Sequence, residues 1–131
     1  MTEIETTRAF LVEDLRRQAE WREGKAAEYP EDDRNARAAK TLRHLAALLE
    51  QEDLSNADKA RLDKLALLAK GEPHERLSTR DASALRLWNR SPGGQPLPEP
   101  TLGETLDRII EETAAQEAEL AAEAWEYEED A

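Results

Sequence analysis

Side chains able to do chemistry are few in this chain, and their spacing argues against most reactions. There are two histidines, His44 and His74, and no cysteine. Without cysteine there is no disulfide, no thiolate metal site and no sulfur nucleophile. Neither histidine follows a glutamate by three residues, so the Glu-x-x-His ligand pairs of a carboxylate-bridged di-iron bundle are missing. His44 lies beside Leu42 and Leu45 and reads as a helix-edge residue rather than a base. His74 follows Pro73 and reads as a solvated loop residue. No serine sits in a G-x-S-x-G elbow, and Pro92-Gly93-Gly94 lacks the lysine and helix start of a phosphate-cradling loop. The acidic pairs Asp32-Asp33 and Glu111-Glu112 fit an N-terminal helix turn and a solvated face better than a metal site. The sequence therefore assigns no catalytic residue, no cofactor and no metal, and the chain reads as a non-enzyme.

Elements to carry those residues follow from composition. Charged residues make up 37% of the 131 positions and aromatic residues only 5%. Alanine, leucine, glutamate and arginine are abundant and β-branched runs are scarce, so local propensity selects helix. The expected architecture is an all-α bundle of about five helices. A first helix over 5–28 carries Ile4, Leu11, Val12, Leu15, Ala19 and Ala26 on one stripe. Phe10 and Trp21 share a second line, which either packs under a neighbour or waits for a partner. Pro30 is expected to open a second helix, with Ala38, Leu42, Leu45 and Leu49 buried, forming an antiparallel hairpin with the first. The corner, from Trp21 through Tyr29-Pro30 to Arg34-Asn35, reads as a packed turn before it reads as a binding patch.

Ser55 with Asp58 marks a third start, and Leu62, Leu65, Ala66, Leu68 and Ala69 its apolar positions, with Gly71 as the stop. Ser78-Thr79 is expected to start a fourth helix with Ala82, Leu85 and Trp88. Four of the six prolines fall between Pro92 and Pro100. The expected division is a helical body over 1–90, a Pro/Gly-rich linker over 91–100 and a separate amphipathic helix over 101–131. That last helix opens with a Thr101–Glu104 capping box and carries Leu102, Leu106, Ile109, Ile110, Thr113, Leu120 and Trp125.

Charge is concentrated at that end. The chain carries −12 overall, and from Thr101 onward eleven acids face one base, Arg108. The first hundred residues hold nineteen acids and seventeen bases, close to balance. Acids near a helix C-terminus oppose the macrodipole, so the acidity calls for another purpose. The expected function is a small protein-binding module of adaptor, inhibitor or antitoxin-like type, bacterial in composition. Its acidic helix would dock on a basic protein surface through Leu106, Ile109, Ile110, Glu111, Glu112, Leu120 and Trp125, with Phe10 and Trp21 as a second line. Removing residues 92–131 is then expected to leave the body folded. One alternative is a structural bundle completed by this helix within the chain or in a homodimer. Another is a helix-turn-helix regulator using Arg80, Arg86 and Arg90, disfavoured by the long turn before Ser78 and the acidic balance. Direct nucleic-acid binding is therefore not expected. The first residues lack a cationic stretch followed by an apolar one, and no apolar run approaches the length of a membrane span. A cytoplasmic setting without membrane contact is the expectation.

Overall fold

Local propensity is carried through into tertiary structure: in a computed structural model every regular element among the described residues is a helix. The structure describes residues 2–51, 53–79 and 100–129, the last six by backbone alone. In chain order the helices are α1 Glu3–Glu28, α2 Arg34–Glu50, α3 Asn56–Ala69, the short α4 Pro73–Arg76 and α5 Leu102–Glu129. The all-α bundle expected from the sequence is what the chain forms.

Helix α1 starts earlier than expected because Thr2 and Glu5 cap it reciprocally. The Glu5 amide donates to Thr2 Oγ1 at 3.1 Å, and the Thr2 amide donates to Glu5 Oε2 at 3.1 Å. Its buried stripe is Leu11, Val12, Leu15 and Ala19. The two ends of the expected stripe are not covered: Ile4 remains 41% exposed and Ala26 is half-buried. Gly24 lies within this helix, and a Cβ added there would meet nothing within 4 Å. Gly24→Ala should therefore stabilise the fold by about 1 kcal/mol through helix propensity alone. A thermal melt should show this as a rise of roughly 4 °C, and an unchanged or lower midpoint would refute it.

Helices α1 and α2 form the antiparallel hairpin. Arg8 donates to the carbonyls of Leu49 and Gln51, satisfying groups that the end of α2 leaves open. Towards the other end Arg43 pairs with Glu23, and Arg22 Nη1 donates to Oδ1 of buried Asn35 at 3.1 Å. Pro30 does not open α2, contrary to expectation. The Asp32 amide donates to the Tyr29 carbonyl at 3.0 Å, holding Pro30 and Glu31 in a turn. Asp32 then accepts from the Arg34 amide and, in a fork, from the Arg34 guanidinium. That local pairing delays the helix to Arg34.

Helix α3 begins as expected, with Ser55 Oγ accepting from the Asp58 amide at 3.1 Å. It stops one residue short of the expected glycine, because Lys70 turns left-handed (φ 51°) before Gly71 (φ 78°) does. Pro73 then starts α4, a single turn the sequence reading did not anticipate. The expected fourth helix with Ala82, Leu85 and Trp88 lies outside the described residues, as do residues 91–99 of the linker and Arg80, Arg86 and Arg90.

Helix α5 opens on Thr101, whose Oγ1 accepts from the Glu104 amide at 3.1 Å. It packs against α3, where Arg61 meets Asp107 at 2.9 Å, and further along α5 the Ser78 amide donates to Thr113 Oγ1 at 2.9 Å. Leu11, Leu15, Leu42, Leu45, Leu49, Leu62, Leu65, Leu106 and Ile109 are all fully buried in one cluster. One core thus draws side chains from both sides of the proline-rich segment. Among the described residues no helix is long and apolar enough to cross a membrane.

Candidate partner-binding surface

Helix α5 divides into two physically different halves. From Leu102 to Thr113 it is core: Leu106 and Ile109 are 0% exposed, Ile110 is 9%, and Thr105 and Thr113 are buried with them. The reading of Leu106, Ile109 and Ile110 as partner anchors is therefore corrected. Leu106, Ile109 and Ile110 are already spent on the chain's own core, where Leu62 and Leu65 of α3 join the same cluster. Arg61, held between Asp58 and Asp107, clamps the outer edge of that interface, and hydrogen bonds to both carboxylates raise its pKa. Glu111 is exposed; Glu112 is half-buried and pairs with Arg108 one turn back at 2.9 Å.

Beyond Thr113 the helix continues with no such cover. Residues 114–123 are all exposed except Glu117, which is half-buried, and Leu120 stands 58% exposed. Trp125 falls where α5 is described by backbone alone, so its side chain lies outside the described residues. The stretch stays helical because it is built from alanine, glutamate, glutamine and leucine, among the strongest helix formers. From residue 114 to the end there are seven acids and no base. Among the described residues the distal part of α5 is thus an anionic helical stretch with an exposed leucine, Leu120, and one half-buried acid, Glu117.

The second predicted line separates into its members. Phe10 is partly buried against the core and meets the His74 ring edge-on, with centroids 5.9 Å apart, so it is not a free contact. Trp21 is 58% exposed, and its ring is faced by the Arg22 guanidinium at 5.1 Å and the Lys25 ammonium at 5.5 Å. Tyr29 at the corner is exposed as well. The corner is thus tied by Arg34, Asp32, Arg22 and Asn35 rather than by its aromatic rings. Burial lowers the Arg22 pKa, while the hydrogen bond from Arg43 holds the Glu23 carboxyl below its ordinary range.

Sequence patterning alone does not show a groove of about 410 Å³ lined by Thr2, Glu3, Ile4, Asp63, Ala66 and Leu67. Leu67 is 73% exposed there. The signal for that exposure was available: in the run Leu65-Ala66-Leu67-Leu68 one position must turn away from the others at 100° per residue.

No family model matches the chain, and no curated protein or solved structure does either. Function must come from the surface itself. Among the described residues no group of three or more histidine, cysteine, aspartate or glutamate side chains is placed to hold a metal. Among the described residues the arrangement offers an acidic helical stretch with an exposed leucine, continuous with a helix half that is packed in the core.

Proposed function

We propose that the chain is a small protein-binding module, of adaptor, inhibitor or antitoxin-like type, that presents the distal part of α5 to a basic partner surface. The observation that carries this reading is the change along one helix. Its first half is buried against α3, while residues 114–123 are exposed apart from half-buried Glu117, and every ionisable group from there on is an acid. Helices of globular domains ordinarily bury one stripe along their whole packed length. A helical segment largely open to solvent, with Leu120 58% exposed, is what a docking arm requires. A cytoplasmic setting belongs to the same reading.

Concentrated negative charge makes the encounter fast and salt-sensitive, and the apolar contact makes it last. The test compares capture from native lysate by the full chain and by a chain ending at Ala115. The full chain should retain a partner that is released as sodium chloride is raised, and the shortened chain should retain none. Equal capture by both forms would remove the arm from the binding function.

A further inference from the structure

The spacing of the bare part of α5 specifies the shape of what it takes. Leu106, Ile110, Thr113, Glu117, Leu120, Ala124 and Tyr127 follow at alternating intervals of four and three residues. That is the seam spacing with which one helix receives the side chains of another. Along its first part the seam is already occupied in this way. Helix α3 packs against α5, with Leu62 and Leu65 in the shared core and Arg61 reaching across to Asp107 at 2.9 Å. Helix α3 ends at Ala69, and beyond it the Ser78 amide donates to Thr113 Oγ1 of α5. The seam runs on through Leu120, 58% exposed. Within it Glu117 has one carboxylate oxygen, Oε1, shielded from solvent and without a hydrogen-bond partner.

We infer that the distal seam of α5 takes a basic amphipathic α-helix of a partner protein, laid along residues 114–123 as α3 packs on the half before it. This rests on the reading of the distal part of α5 as the docking arm. Charge selects the occupant: the seam and its flanks offer Glu117, Glu119 and Glu123, and no base lies anywhere from residue 114 onward. The complement is a row of small or leucine-like side chains flanked by arginine or lysine, the pattern α3 itself shows with Leu62, Leu65 and Arg61. A second copy of the arm is the wrong occupant, because it would set seven acids against seven with no cation between them. An extended peptide is also a poor occupant, since a lone helix offers neither a sheet edge nor a row of pockets.

Two synthetic 21-residue peptides of equal charge test this by calorimetric titration of the full chain. One carries leucine at the seam positions and lysine beside them; the other has the same charges with prolines that prevent a helix. The helical peptide should bind at least tenfold more tightly at 50 mM sodium chloride. Leu120→Glu, an exposed substitution that leaves the core untouched, should weaken it tenfold or more. If both peptides bind equally well, or Leu120→Glu changes nothing, the helical occupant is wrong while the acidic arm stands. If neither peptide binds, or the chain ending at Ala115 binds as well as the full chain, the arm reading falls with it.

Discussion

A chain ending at Pro100 should lose cooperative folding, whereas one ending at Ala115 should melt within a few degrees of the full chain. The first truncation removes Leu102, Leu106, Ile109 and Ile110 from the core, all of them at most 9% exposed. Each large aliphatic side chain contributes about 2 kcal/mol by its burial, so on the order of 8 kcal/mol is lost. That rivals the whole stability of a domain this size, about 5–15 kcal/mol. The loss is compounded where it falls, because Leu62 and Leu65 on α3 would be turned to water. The Arg61–Asp107 pair and the Ser78–Thr113 hydrogen bond go as well. The second truncation removes residues 116–131, among which every side chain described up to Glu123 is exposed except Glu117. Near-UV circular dichroism followed through a thermal melt separates the two outcomes. A 1–100 chain that melts like the full chain would show that α5 adds nothing to the core. The sequence reading expected removal of 92–131 to spare the body; burial of these four residues reverses that expectation.

The stripe Leu102, Leu106, Ile109, Ile110 and Thr113 is plain at 100° per residue, and so is the Thr101 cap. A stripe says that a face is buried and not against what, because an apolar row suited to α3 is equally suited to a foreign surface. The proline-rich segment before it suggested independence, but a linker limits chain direction and not packing. In α2 the ambiguity did not arise. Ala38, Leu42, Leu45 and Leu49 were read as buried, and all four are, because the hairpin partner lies one short turn away. Pro30 shows another limit. A fixed φ near −65° suits both a first helical position and a turn, and only the Asp32–Arg34 pairing decides between them. The distal charge, by contrast, was fully legible. What was missing was the point along α5 where burial gives way to exposure, after Thr113, whose hydroxyl accepts from the Ser78 amide.

Ala118→Pro should melt the arm and leave the body's thermal midpoint where it is. Proline within a helix removes one backbone hydrogen bond and clashes with the preceding turn, at about 3 kcal/mol or more. In the core half of α5 that would be a folding defect. At Ala118, which is exposed, no packed side chain is displaced. The consequence falls on residues 119–129, which would have to nucleate a helix of their own. Isolated helices shorter than about 12–15 residues are marginal in water, because the first turn costs more than it returns. Here they are weaker still, since Glu119 and Glu123 repel at a four-residue spacing and the acids beyond them oppose the dipole at the C-terminal end. The arm is helical in the native chain because it only has to propagate a helix already nucleated and held by α3. Far-UV circular dichroism should therefore lose the signal of the arm before heating begins, while the cooperative transition stays in place. Binding of the helical peptide should fall at least tenfold, since the seam no longer exists as a rigid line. If the midpoint instead drops as it would for a core substitution, the arm lies against the body and is not free to dock.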